Sequence, residues 1–241
     1  MENLLTKYGK ITPLDTEEQE TFRNLASRKR EYATGEQIVE SDLDEPDQLY
    51  IVEDGRLFAS SELANGERAI TRLYFGGDII GTANVPFDYA THSVTVSQAC
   101  TVYIFPRSNL VDAFVSMPRI AAIFYTFAAM ENAILNDRLV SIGRTRGRAR
   151  LASLILEIEA RRNLLADRTP DQFRLGLTQA EIGDAIGLTE VQVSRLFIDL
   201  TNEGMVERSG GQITIRDRDT LTNIGQFKNR YDDLNLDWFK I

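Results

Sequence analysis

The stretch from Leu177 to Ile215, LTQAEIGDAIGLTEVQVSRLFIDLTNEGMVERSGGQITI, constrains the fold more than any other part of the chain. Thr178 followed three residues on by Glu181 is a capping box, the start signal of a helix. Ile182, Ala185 and Ile186 give that helix one apolar face, and Gly187 can take the positive φ that ends it. Thr189 caps a second helix, in which Val193, Leu196, Phe197 and Leu200 form a buried stripe and Gln192, Ser194, Arg195 and Asp199 stay largely outside it. Gly204 closes this helix, and Ser209-Gly210-Gly211 is a turn between the strand-like runs MVER and QITI. The pattern predicts a helix-turn-helix followed by a hairpin wing, a shape whose second helix suits the DNA major groove. In that reading Gln192, Ser194 and Arg195 face base edges. Val191 can meet a thymine methyl, and Thr178 and Gln179 lie near phosphate. Thr189, Glu190 and the wing residue Ser209 complete the expected contact surface.

The chain has 241 residues, enough for two modest domains, and a net charge of −9. That charge argues against a general polyanion binder. It is uneven, however: acidic and basic residues balance between Gly143 and Gly225. A neutral domain binds DNA if its cations face one way. Cys100 is the only cysteine and His92 the only histidine. An intrachain disulfide framework and an all-cysteine metal or iron–sulfur site are excluded, and no metal site is expected. The sequence shows no secretion signal and no apolar run of membrane-spanning length, so a soluble, cytoplasmic protein without a membrane partner is expected.

Upstream, residues 13–30 read as helical. From Glu31 to Phe105 the character changes to short apolar runs broken by turn residues, with turn signals at Asp54-Gly55 and Asn65-Gly66, as in an antiparallel sandwich or roll. Pro118 suits a first helical position. Apolar residues then recur to Ile142, a helix of about 37 Å at about 1.5 Å per residue. Ile120, Ile123, Phe124, Phe127, Met130, Ile134, Leu135 and Leu139 form a wide apolar face, expected to pack on the roll and on a partner helix in a symmetric dimer. Gly143 is a candidate break. The Arg144, Arg146, Arg148 and Arg150 cluster either touches phosphates or is a solvated hinge. A loop with a short strand is expected over 166–176. Trp238 and Phe239 in the tail are expected to pack on the body or a partner subunit.

The whole arrangement resembles the Crp/Fnr family of bacterial transcription regulators. Gly55 in VEDGRL, the Gly77-Asp78-Ile79-Ile80-Gly81 segment, Arg150, and Gly187 with Ser194 and Arg195 carry the likeness. The resemblance implies an α+β chain in four parts: an N-terminal antiparallel β-roll or jelly roll with its leading helix over 1–117, a dimerisation helix over 118–142, a winged helix-turn-helix over 143–225 and a tail over 226–241. It also implies a homodimeric regulator, an activator by analogy, that works with RNA polymerase. Cyclic-nucleotide-binding members carry a Glu after the second pocket glycine and an Arg further on. Thr82 and His92-Ser93 stand at those positions here, and a neutral imidazole does not replace a forked guanidinium at a phosphate. Cyclic AMP is therefore not expected. Neither is an iron–sulfur cluster, for want of cysteines, nor haem, since His92 reads as structural.

The signal stays open. A small molecule, oxidation of Cys100, a partner protein or protein abundance are all compatible with the sequence. An effector is expected between the segment holding Gly76, Gly77, Gly81, Thr82 and Ala83, the strand after His92 and Ser93, and the long helix near Tyr125 and Met130. Two other classes compete with a DNA-reading regulator. One is a ligand- or protein-binding regulatory protein with weak or lost DNA binding, suggested by Glu190 and Asp199. The other is an enzyme, for which His92, Asp88 and Ser93 supply sequence proximity but no convergent triad, so no catalytic residue is assigned.

Overall fold

The computed structural model describes residues 1–45, 47–165, 172–232 and 234–239. The chain divides into two compact units: Met1–Ser61 with Thr71–Ala133 and Tyr231–Ile241, and Glu62–Ile70 with Ile134–Arg230.

The first unit opens with α1 (Glu2–Ile11) and α2 (Thr16–Leu25). No helix was predicted at α1. It has no side-chain N-cap, and long-range contacts hold it: Tyr8 stacks on Phe127 with ring centroids 4.0 Å apart, and Lys7 forms a buried ion pair with Asp78. The helix expected over 13–30 is confined to α2. Asp15, in a capping box with Glu18, starts it. It ends because Arg28–Tyr32 is drawn into strand β1.

The strands β2 (Gln37–Val39), β3 (Gln48–Glu62), β4 (Arg68–Tyr74), β5 (Ile79–Ile80) and β6 (Ser93–Pro106) follow. They form a six-stranded sheet ordered β1-β6-β3-β4, with β2 on β6 and β5 on β3. β1 pairs antiparallel with β6 from Arg28↔Ile104 to Tyr32↔Cys100, and β3 pairs antiparallel with the same strand from Gln48↔Pro106 to Ser60↔Ser93. The turn expected at Asp54-Gly55 is instead an irregularity within continuous β3, where the register against β6 shifts. Gly55 has φ +84°, and a Cβ there would lie 2.4 Å from the Ala99 carbonyl oxygen. Only glycine fits this bulge. The roll interior is filled by side chains including Val52, Leu57, Tyr74, Ile80, Val94 and Val96.

Helix α3 (Arg107–Ser116), which periodicity did not reveal, leads to α4 (Pro118–Arg144). α4 starts at the predicted Pro118. It runs through Gly143, the candidate break, and stops before Thr145. Ile120, Ile123, Phe124, Phe127, Met130 and Ile134, expected at a dimer seam, are all buried within the single chain. Leu135 and Leu139 of that set are exposed, by 50% and 69%. In the tail, Trp238 Nε1 donates to Thr126 Oγ1 at 3.2 Å and the indole meets the edge of Tyr125.

The second unit contains α5 (Gly147–Asn163), β7 (Gln172–Phe173), α6 (Gln179–Ile186), α7 (Glu190–Asn202), β8 (Val206–Ser209), β9 (Gln212–Ile215) and α8 (Arg218–Gly225). The short strand β7 matches the strand expected after the loop; residues 166–171 of that loop lie outside the described residues. β7, β9 and β8 form a three-stranded sheet. The buried face of α5, including Leu151, Leu154, Ile155 and Ile158, supplies the core beneath the helix-turn-helix. The C-terminal end of α4 is tied to α5 by Arg138, whose Nε and Nη2 each reach the buried Glu157 carboxylate at 2.9 Å. Arg161 Nε joins the same carboxylate at 3.1 Å. Such a forked, hydrogen-bonded cluster satisfies the charge that burial would otherwise penalise.

Candidate nucleic-acid interface

Each reading-head helix starts where its capping box places it. Thr178 accepts from the Glu181 amide while the Glu181 carboxylate accepts from the Thr178 amide at 2.7 Å. Thr189 and Gln192 repeat the arrangement on α7: the Gln192 Oε1 accepts from the Thr189 amide at 2.9 Å. α6 ends at Gly187 with φ +67°. The wing turns through Gly210 and Gly211, both at positive φ, and β8 pairs with β9 from Val206↔Ile215 to Ser209↔Gln212.

Val193, Phe197 and Leu200 bury one side of α7. The opposite side carries Val191, Arg195 and Ile198, all exposed and spaced four and three apart, so they share a face. Arg195 has neither a hydrogen-bond nor an ion-pair partner among the described residues. Thr178, Thr189, Glu190, Gln192 and Ser209 are exposed, and Gln179 and Ser194 are half-buried. Gln192 has a double position: its carbonyl oxygen serves the helix cap, which leaves its amide NH₂ for outside partners. Sequence reasoning missed Ile198, whose exposed apolar side chain continues the Val191–Arg195 face.

Two of the four clustered arginines make structural contacts. Arg150 donates from Nη2 to the Thr145 carbonyl at 2.9 Å, just past α4, and from Nη1 to the Ile186 carbonyl at 3.2 Å, at the end of α6. Arg148 forks onto Glu203. Arg144 and Arg146 are exposed. In the wing, the Arg208 guanidinium lies 4.2 Å from the centre of the Phe197 ring.

The residues expected to line an effector pocket differ in burial and in their immediate contacts. Gly77 lies against α1, where a Cβ would come 2.6 Å from the Asn3 carbonyl oxygen. Met130 is buried, whereas Tyr125 is 66% exposed beside Trp238. Gly76 and Gly81 are buried, Thr82 half-buried and Ala83 exposed. Ser93 Oγ accepts from the Ser41 amide at 3.1 Å. Thr91 gives its hydroxyl proton to Asn84, so His92 Nδ1 donates to Thr91 Oγ1 and Nε2 is left as a buried acceptor with no partner among the described residues. Burial, and secondarily Arg72, push the His92 pKa below its usual value, which favours the neutral ring. Arg72 is itself paired with Glu131 at 3.1 Å. Among the described residues no cluster of three His, Cys, Asp or Glu forms a metal site, and no single helix is long and apolar enough to cross a membrane.

A β-roll, a long helix and a capped helix-turn-helix with a wing define a DNA-binding regulator. Comparison with known proteins agrees over both halves. Residues 149–224 match the Crp-like helix-turn-helix domain, and residues 29–116 match the cyclic nucleotide-binding domain. The fumarate nitrate reduction regulatory protein of Klebsiella oxytoca is 25% identical over 217 residues, spanning 90% of this chain and 86% of that protein. Its counterpart in Escherichia coli strain K12 is 25% identical over 211 residues, spanning 88% and 84%. The structure of FixK2 from Bradyrhizobium japonicum superposes with a TM-score of 0.75 at 25% identity, covering 83% of this chain and 98% of that one. The chain belongs to the Crp/Fnr family; it is a DNA-binding transcription regulator and not an enzyme.

Proposed function

We propose that the protein acts as a cytoplasmic homodimer that inserts α7 of each subunit into successive major grooves of a near-palindromic site and recruits RNA polymerase as an activator. The observation that carries the base-reading role is the exposed Arg195, without a partner among the described residues, on a helix fixed by a cap at its start and by three buried apolar residues along its back. Arg195 reads a guanine edge, Ser194 and the free amide of Gln192 assist, and Val191 meets a thymine methyl. Thr178, Gln179, Thr189 and Ser209 lie towards phosphate, with Glu190 at the helix entrance.

The dimer seam is the solvent face of α4. Tyr125, Ala128, Asn132, Leu135, Leu139 and Ile142 are all exposed and are spaced 3, 4, 3, 4 and 3 apart. This is the a/d alternation of a two-stranded coiled coil. Asn132 in mid-seam fits the role of a polar register pin. The residues at the cyclic-nucleotide positions do not fit that ligand: Thr82 lacks a carboxylate for ribose and a neutral His92 gives no charge to phosphate. The regulator therefore answers to another signal. Selection of genomic duplexes on the full-length protein, read at several salt concentrations, tests the reading. It expects enrichment of one paired half-site and a steep loss of affinity with salt.

A further inference from the structure

The tip of the β3–β4 hairpin belongs to the same compact unit as the helix-turn-helix. It is internally ordered. The Leu63 amide donates to the Glu67 carbonyl and the Gly66 amide to the Leu63 carbonyl, each at 2.8 Å. Just past the tip, Arg68 donates from Nε at 2.9 Å and from Nη2 at 2.7 Å to one oxygen of Asp184, in α6. Beside this ion pair lies a groove of about 800 Å³. Glu62 and Glu67 line it from the hairpin, and Thr189 and Gln192 line it from the entrance of α7. The amino end of a helix favours anions such as DNA phosphate, because its free N–H groups donate and its dipole is positive there. Here that end faces a groove that already holds carboxylates.

We propose that the β3–β4 hairpin is a built-in competitor of DNA, anchored on the reading head by Arg68 and Asp184. While the pair holds, Glu62 and Glu67 occupy the space that a phosphate strand approaching Thr189 needs, and repel it. DNA binding opens the pair, and a signal that loosens the hairpin raises DNA affinity with no change in the reading surface itself. This rests on α7 being the DNA-reading helix.

The sign of one substitution separates this from simple charge attraction. Arg68→Ala removes a cation, so attraction to phosphate alone predicts weaker binding. The competitor role predicts roughly two- to five-fold tighter binding to a duplex selected by the wild-type protein, the range open to a partly exposed ion pair. Asp184→Asn, which keeps the side-chain shape, must act in the same direction. A second readout follows amide hydrogen exchange of residues 62–70 in the full-length wild-type protein. Adding the duplex must speed it. Unchanged or weaker binding by both variants, or slower hairpin exchange on the duplex, overturns the proposal. Wild-type protein that retains no duplex at all overturns the DNA-reading assignment of α7 and the proposal with it.

Discussion

Gly183 and Leu188 meet so closely that the helix-turn-helix closes only around a missing side chain. A Cβ on Gly183 would stand 2.4 Å from the Leu188 carbonyl oxygen, and the Leu188 amide donates back to the Gly183 carbonyl at 3.0 Å. Gly183→Ala must therefore push the turn off α6. The expected loss is about 1–3 kcal/mol of stability, as for other overpacked sites. Calorimetry should show a lowered melting temperature together with lost duplex binding. Wild-type melting and binding in the variant would mean that the turn relaxes freely.

Arg195→Ala is expected to remove roughly 1–3 kcal/mol of discrimination at one base pair of each half-site. Binding to duplexes changed at that pair should then equal binding to the original. A uniform loss across all sequences would make Arg195 a phosphate contact. Gln192→Ala should act differently, because Gln192 also closes the cap of α7. Its loss should lower thermal stability as well as affinity.

The two faces of α4 should separate cleanly under substitution. Leu135→Lys or Leu139→Lys places charge on the exposed stripe and should shift sedimentation from dimer to monomer at unchanged melting of the roll. Phe127→Lys should instead lower the melting temperature outright, since Phe127 is buried against Tyr8 within one chain. A dimer that survives both seam substitutions on dilution places the interface elsewhere.

His92 and Cys100 give opposite chemical signatures. Burial pushes the Cys100 thiol up to about 11, with Asp54 and Glu36 adding to it, so little thiolate exists near neutrality. Alkylation of the folded protein at pH 7.5, an assay condition chosen well below that value, should be slow and should accelerate in denaturant. Fast labelling of the native form would restore a redox role. For His92 the folded pKa lies below the unfolded one. As pH falls through about 6.5, the unfolded chain takes up the proton first, so stability is lost on acidification until the folded pKa is passed. Urea midpoints should fall further with pH in the wild type than in His92→Gln.

The winged head was legible because its signals are local. Thr178 with Glu181, Thr189 as a cap, and the glycines at 187, 204, 210 and 211, all found at positive φ, each act within a few residues. α1 was hidden because Lys7 and Tyr8 find Asp78 and Phe127, partners remote in sequence. α4 carries apolar residues on both its buried and its exposed sides, so periodicity announced a helix and not which face the roll would take. The β3–β4 hairpin signalled its turn at Asn65-Gly66, but nothing local told that Arg68 would reach Asp184.

Reading of DNA through α7 leaves a direct signature on the duplex. Footprinting of the full-length protein on a selected duplex tests it most directly. Two protected half-sites are expected about one helical turn apart, roughly 34 Å, with Arg195→Ala abolishing preference at one base pair in each. Protection that does not depend on sequence, or that is unchanged by Arg195→Ala, would contradict it.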